Sequence, residues 1–207
     1  MTVVAFAGAL ACVIGMAVAL SQVSGYGWLQ RIGRGYVTLF RNTPLLVQLF
    51  FWYFGIAMVL PRSKYPFLYV GSYEVKIGVL AVALVSGAFI AEVLRAGIQA
   101  VPANQMEAAM AVGLTWRQGF RYVLLPQLWP IALPGLANEA INVVKNSAFT
   151  MTIGVTELIW QAQQIEADTF HGFEAMTIVT LAYLAINGAI FACFRRLERL
   201  AKIERAA

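Results

Sequence analysis

The sequence is short of charge. Only 12% of its 207 residues are Asp, Glu, Lys or Arg, whereas 60% are hydrophobic and the mean hydropathy is +0.72. A typical soluble domain carries about 25% charged residues, so this chain has too little polar surface to cover a water-soluble globule. The many apolar residues also exclude a disordered chain. The composition therefore indicates a protein that crosses a membrane several times.

Cysteine, histidine and nucleotide-binding motifs are scarce or missing. The two cysteines exclude a secreted disulfide scaffold. The one histidine, His171, has no second histidine or cysteine near it, so we expect no metal site. The chain has no G-x-x-x-x-G-K-[ST] run to hold ATP phosphates and no H-E-x-x-H motif. We therefore expect that the chain is not an enzyme and binds no cofactor, and that energy for any transport comes from another subunit.

Five apolar stretches are long enough to cross a bilayer, which needs roughly 20 helical residues. We predict an all-α polytopic membrane protein, a single transmembrane domain of residues 1–207 with five transmembrane helices. A further apolar stretch, residues 148–161, is short and is interpreted as a re-entrant or interfacial segment. The predicted spans are residues 1–20, 42–61, 77–91, 122–144 and 175–194.

The basic residues fall mainly on one side of these spans. The loop from Glu157 to Glu174 has no Lys or Arg but carries Glu166 and Asp168. By the positive-inside rule the N-terminus is expected outside and the C-terminus in the cytoplasm, which agrees with an odd number of spans. Eleven of the 15 basic residues then face the cytoplasm: Arg31, Arg34, Arg41, Arg95, Arg117, Arg121, Arg195, Arg196, Arg199, Lys202 and Arg205.

The cytoplasmic loop of about residues 96–122 has a helical pattern of its own. Its alanine- and methionine-rich part favours a helix, which Asn104 and Glu107 could start as a capping box. Gly113 is a natural helix end, and Thr115 could cap a second short helix. We predict two short helices that meet at a glycine. They form either an amphipathic connector in the headgroup layer or a docking element for a soluble partner.

Few charged residues lie within the predicted spans. Glu92 and Arg95 are three residues apart on a helix and are predicted to form a structural ion pair. Glu139 and Lys145 are six apart, so they lie on different faces of one straight helix and cannot pair. Lys145 either extends to the outer membrane surface or attracts a substrate carboxylate.

Polar residues cluster at the end of the fourth predicted span. Three prolines, Pro126, Pro130 and Pro134, precede the cluster, and proline breaks in membrane helices are tolerated where the helix faces protein or a cavity. This combination is typical of a translocation path. The predicted substrate path consists of Glu139, Asn142, Lys145, Asn146 and Ser147.

The cytoplasmic loop resembles the EAA motif of bacterial ABC importer permeases, E-A-A-x3-G-x9-I-x-L-P. Glu107, Ala108 and Ala109 are followed at the motif's spacing by Gly113 and by residues 123–126, where Val123 replaces the Ile. Other stretches resemble the polar amino-acid subgroup of these permeases. They are FRNTPLLVQLF at residues 40–50, E-x-x-R-x-G-I at residues 92–98, LPQ at residues 125–127 and VKNS at residues 144–147.

The resemblance implies a type I ABC importer permease of MetI-like fold in the bacterial cytoplasmic (inner) membrane. Glu107, Ala108, Ala109 and Gly113 would then belong to a coupling helix that docks on an ABC ATPase subunit. The implied partners are ATPase subunits that hold ATP and Mg, a second identical or related permease, and a periplasmic or lipid-anchored amino-acid-binding protein. Membrane lipid is a further partner, and no nucleic acid is expected.

Two segments bear on the substrate. VKNSA at residues 144–148, with YVLLP at residues 122–126, looks like the permeases for glutamate and aspartate. The resemblance therefore implies import of polar, acidic amino acids by alternating access. The alternative is an ion-coupled secondary amino-acid transporter in which Glu139 and Lys145 form the relay.

Overall fold

Helices make up nearly all of the structure, a computed structural model that describes residues 1–60, 63–66 and 70–203, with side chains to residue 201. No strand occurs in these ranges, and the all-α fold class is confirmed. Arg205, which was used to predict the orientation, lies outside the described residues. The helices are α1 (Thr2–Gln22), α2 (Gly27–Asn42), α3 (Leu45–Val59), α4 (Tyr73–Ala100), α5 (Asn104–Ala111), α6 (Trp116–Gly119), α7 (Leu125–Ser147), α8 (Leu158–Thr169) and α9 (Gly172–Ile203).

The core forms where α1 packs against α4. Four small residues at four-residue spacing, Ala7, Ala11, Gly15 and Ala19, form a buried stripe on α1. A side-chain carbon added at Gly15 would lie 2.5 Å from Ile90 of α4, so the two helices approach as closely as only glycine permits. Small residues favour such close contacts between membrane helices because lipid supplies no hydrophobic drive for association.

The second predicted span begins at a bend. Residues 42–61 were expected to form one helix, and α3 occupies Leu45–Val59 of that range, but α2 precedes it at an angle of 105°. The prediction is wrong at its start, because Asn42 belongs to α2, a helix in the stretch that was expected to lie between two spans. Pro44 disfavours helical geometry in the residue before it, and Thr43 is accordingly extended. Gln48 then bridges the bend by donating to Thr43 Oγ1 at 2.6 Å and to Phe40 O at 3.2 Å.

Three of the described helices, α1, α4 and α9, are long and apolar enough to cross a membrane, and the bent α2–α3 pair makes a fourth candidate. α7 has 23 residues, a length of about 35 Å at 1.5 Å per residue. It carries Pro130, Pro134, Glu139 and Lys145, and it is not among the candidates. The predicted count of five spans is reached only if α7 is the fifth. α7 is long enough to be a span, but its most apolar stretch is more polar than those of the four candidates.

The two ends of α7 are irregular. A short π-helix, Phe120–Leu124, precedes it, and a 3-10 helix, Ala148–Ile153, follows it. The chain then turns at Gly154, where φ is +91°, a conformation that glycine adopts without steric cost. The stretch 148–161, expected to be re-entrant or interfacial, is thus a 3-10 turn and the start of α8 rather than one continuous helix.

Candidate functional site

The loop between α4 and α7 consists of two short helices, as predicted. α5 ends at Ala111 with Val112 as its C-cap, and Gly113 follows with φ at +91°. The Gly113 amide donates to Met110 O at 3.0 Å and the Leu114 amide to Ala109 O at 3.1 Å. These bonds satisfy carbonyls at the end of α5, so the prediction that Gly113 stops the first helix is confirmed.

The caps of the two helices differ from each other. Thr115 caps α6 in a capping box, because its hydroxyl accepts from the Gln118 amide at 3.4 Å while Gln118 Oε1 accepts from the Thr115 amide at 2.8 Å. The predicted capping box of Asn104 and Glu107 is wrong. The cap position is Ala103, and Asn104 is already inside α5. The backbone of Ala103 is helical, so the chain enters α5 without the extended residue that a side-chain cap requires.

α5 and α6 are tied to each other and to α7. A side-chain carbon at Gly119 would lie 2.6 Å from Met106 Sδ, so the two short helices meet at this glycine. Gln127 of α7 donates to Gln105 of α5 at 3.3 Å. These two contacts hold α5, α6 and the start of α7 together in a compact unit. Sequence reasoning missed Gly119, although a glycine inside a short helical pattern is a signal of close packing.

The EAA residues divide between an inner and an outer side of α5. Ala109 is buried at 5% exposure, whereas Glu107 and Ala108 are exposed. Three large apolar side chains of the same loop are also exposed: Met110, Val112 and Trp116. A carboxylate at the start of a helix beside exposed apolar side chains is suited to contact with another protein.

The predicted pair of Glu92 and Arg95 is present in the structure. Arg95 Nε donates to Glu92 Oε2 at 3.1 Å, and a second bond joins its terminal nitrogen to the other carboxylate oxygen. Arg95 also donates to Gln99 at 2.6 Å. Both partners of the ion pair are about 28% exposed. The predicted structural ion pair is therefore confirmed.

The five predicted path residues do not lie on one face of α7. Glu139 and Ser147 are buried, at 8% and 7% exposure, and Lys145 is exposed. Asn142 and Asn146 are half-buried between them. Asn142 Nδ2 donates to Glu139 Oε1 at 3.2 Å, so Glu139 has a partner on its own helix. Glu139 and Ser147 are therefore on the buried side of α7, whereas Lys145 gives the exposed side a positive charge.

The exposed face of α7 continues beyond the predicted residues. Asn138 lies seven residues before Lys145, which is two helical turns and the same face, and it is exposed, as is Pro134. No carboxylate of the described residues lies within 4 Å of Lys145. A polar and charged face is costly against lipid, so this surface is suited to a water-filled path or to another subunit. Asn138 was not among the path residues predicted from the sequence.

A second polar feature lies at the end of α7 and was missed. A cavity of about 170 Å³ is lined by Ser147 together with Thr150, Glu157 and Tyr183. Glu157 caps α8 by accepting from the Ile159 amide at 2.9 Å, and its other oxygen accepts from the Tyr183 hydroxyl at 2.9 Å. Glu157 therefore joins the start of α8 to α9. The sequence offered only a weak signal, an acidic residue just before an apolar helical run.

The fold and these surfaces define a helical membrane protein with a pair of short helices, α5 and α6, between its long helices and with one long helix, α7, that exposes polar residues, as in transport permeases. The model of a family described as the binding-protein-dependent transport system inner membrane component matches residues 11–203. The chain belongs to this family.

Individual relatives and solved structures agree with this assignment. The glutamate/aspartate import permease protein GltJ of Escherichia coli K12 is 38% identical over 181 residues, 85% of this chain and 73% of the relative. The probable glutamine ABC transporter permease protein GlnM of Bacillus subtilis is 37% identical over 186 residues, 90% and 81% of the two chains.

Among solved structures, the crystal structure of an amino acid ABC transporter with histidines matches with a TM-score of 0.82 at 32% identity, covering 95% of this chain and 88% of that one. A methionine ABC transporter, MetNI, in an inward-facing conformation shares the fold, with a TM-score of 0.78 at 22% identity over 97% and 93% of the chains. These likenesses favour an ABC permease over the alternative of an ion-coupled secondary transporter.

Proposed function

We propose that residues 1–207 form the permease domain of an ATP-driven importer that carries polar, acidic amino acids into the cytoplasm. Family membership supports the class of protein. The likeness to a glutamate/aspartate permease supports the substrate class. The observation that carries the substrate proposal is the exposed face of α7, where Lys145 has no carboxylate partner among the described residues and can attract an anionic solute.

Coupling to ATP hydrolysis is assigned to α5. Glu107 and Ala108 are exposed and available to an ATPase subunit, while the buried Ala109 and the turn at Gly113 hold α5 in place. Because α5 is fixed to α6 and α7, a push on its outer side moves the start of α7 with it. ATP and Mg would be held by the ATPase, since this chain has no phosphate-binding loop.

The remaining partners follow from the same scheme. A second permease, identical or related, would face the exposed polar side of α7, so that the path lies between the two subunits. With the N-terminus outside and the C-terminus in the cytoplasm, the loop before α8 and α8 itself lie at the outer surface, where an amino-acid-binding protein would deliver the substrate.

Uptake by reconstituted vesicles tests this proposal. The chain is purified with its ATPase partner, reconstituted, and supplied with ATP, binding protein and labelled glutamate. We expect uptake that requires ATP and is inhibited by aspartate more strongly than by glutamine or lysine. Uptake driven by an ion gradient without ATP would overturn the assignment to an ATP-driven importer. Stronger inhibition by glutamine would overturn the acidic substrate class but leave the ABC mechanism in place.

A further inference from the structure

A polar cavity of about 410 Å³ opens between α1, α2 and α4, beside the last turns of α4 that lead into α5. The proposed transport cycle makes no use of this cavity. The lining residues are Gln22 of α1, Arg34, Val37, Thr38 and Arg41 of α2, and Glu92, Arg95 and Gln99 of α4.

The cavity carries an excess of positive charge. Three arginines and one glutamate line it, a net formal charge of +2. The glutamate is engaged by Arg95. Arg34 donates to Gln30 at 3.3 Å, and the Arg41 guanidinium lies 5.1 Å from the centre of the Phe89 ring. Neither Arg34 nor Arg41 has a carboxylate within 4 Å in the part of the chain that the structure describes. Two guanidinium groups are therefore available to an anion.

The wall of the cavity is firmly built. Gln22 is 6% exposed and donates from Nε2 to Gly33 O at 3.2 Å, which joins the end of α1 to α2. A side-chain carbon at Gly33 would lie 2.3 Å from Ser21 Oγ, so the two helices touch at this point. Tyr36 fixes α2 to α4 by donating to Leu84 O at 2.6 Å. The arginines of α2 thus project from a backbone that is held on two sides.

The position of α2 points to a lipid as the occupant. On one face it exposes Trp28, Ile32 and Leu39, each at about 60% exposure, while Arg34 and Arg41 lie two turns apart on another face. α2 starts beside the end of α1, where Gln22 meets Gly33, and reaches the middle of α4, where Tyr36 meets Leu84. The cavity thus lies beside the last turns of α1 and α4, on the side predicted to be cytoplasmic, where these two candidate spans meet the lipid headgroups.

We propose that this cavity binds the phosphodiester headgroup of an anionic phospholipid, with phosphatidylglycerol as the representative ligand. Arg34 and Arg41 hold the phosphate through charge-assisted hydrogen bonds, and the acyl chains lie along the exposed apolar face of α2. Basic pockets between membrane helices on the cytoplasmic side are suited to such headgroups. The site adds a lipid-binding function that is independent of the transported substrate.

Native mass spectrometry of the assembled transporter tests the site. The complex of permease and ATPase is titrated with phosphatidylglycerol, with phosphatidylcholine of the same acyl chains, and with soluble glycerol 3-phosphate. We expect the wild type to bind phosphatidylglycerol in preference to phosphatidylcholine. The double variant Arg34→Gln/Arg41→Gln should bind it about thirtyfold more weakly, and Arg34→Gln alone about fivefold. The corresponding lysine variants should keep the preference for the anionic lipid.

Arg31→Gln is the matched control, because Arg31 is an exposed arginine of the same helix that does not line the cavity. It should bind as the wild type does. Equal binding of phosphatidylglycerol by the wild type and Arg34→Gln would overturn the proposal. A wild type that shows no preference for the anionic lipid would also overturn it, and this result is expected if a second permease covers the cavity. Displacement of the lipid by an equal concentration of glycerol 3-phosphate would assign the site to a soluble anion instead. Arg34 is exposed, so the single variant should fold even where the double variant does not.

Discussion

α4 and α7 differ most clearly in composition and burial. α4 is largely buried and is packed through small residues such as Gly87 and Ala88. α7 contains two internal prolines and exposes Lys145 on a polar face. Both are long enough to cross a bilayer, but only α4 has the composition of a span. In this fold the apolar, buried helix α4 thus forms the scaffold, whereas the polar helix α7 carries the candidate path.

The largest effect is expected where the scaffold is tightest. Gly15→Leu forces a side chain into Ile90, because even its first carbon would lie 2.5 Å away. We expect a loss of about 3 kcal/mol of stability, the upper part of the usual range for overpacking, measured by thermal unfolding in detergent. Gly55→Leu is the control, since nothing lies within 4 Å of a side-chain carbon there. Equal stability of the two variants would contradict the close contact between α1 and α4.

The next effect concerns the path. Lys145→Met removes the positive charge from the exposed face of α7, and we expect about a tenfold loss of glutamate uptake, because hydrogen bonds to charged groups contribute roughly 1.5–3 kcal/mol. Lys145→Arg should retain most of the uptake because it keeps the charge. Both are measured as ATP-dependent uptake in vesicles. Normal uptake by Lys145→Met would remove Lys145 from the path.

A smaller effect is expected at the end of α5. Gly113→Ala places a side chain at φ +91°, and Gly154→Ala does the same beyond α7. Each should destabilise the fold by about 1–2 kcal/mol, the cost of a left-handed conformation. Of these two variants, only Gly113→Ala should raise the ATP hydrolysed per glutamate transported, because only Gly113 lies in the loop that we propose couples the chain to its ATPase. An equal rise in both variants would show that the effect is general strain.

The smallest effect is expected for a polar group of the scaffold. Ser86 of α4 is fully buried, and its hydroxyl has no hydrogen-bond partner among the described residues. Removing an unsatisfied hydroxyl is neutral or slightly stabilising. Ser86→Ala should therefore leave glutamate uptake unchanged and raise the unfolding temperature slightly or not at all. A loss of uptake comparable to that of Lys145→Met would remove the distinction between α4 and α7.

Sequence patterns with a local cause predicted the structure best. The helix end at Gly113, the cap at Thr115 and the pair of Glu92 with Arg95 each depend on residues within a few positions, and all three are present in the structure. The bend at Thr43 also has a local cause, the proline that follows it, but this proline was not used in predicting the spans. α2 was not predicted because hydropathy selects charge-free runs, and α2 carries Arg31, Arg34 and Arg41.

Features made by distant segments were not predicted. The bond from Tyr183 to Glu157 and the cavity between α1, α2 and α4 join residues that only the fold brings together. The division of the path residues into buried and exposed sides depends in the same way on which face of α7 packs against its neighbours. Periodicity shows that Glu139 and Lys145 differ in direction, but not which of them is buried.

Water accessibility of α7 tests the central claim most directly. Single cysteines are placed by Asn138→Cys, Lys145→Cys and Ser86→Cys after both native cysteines, which are exposed, are replaced by serine. The reconstituted transporter is then treated with a charged thiol reagent that does not cross lipid. We predict modification at positions 138 and 145, slowed by glutamate with binding protein, and none at position 86. Modification at position 86 but not on α7 would contradict the assignment of α7 as the path.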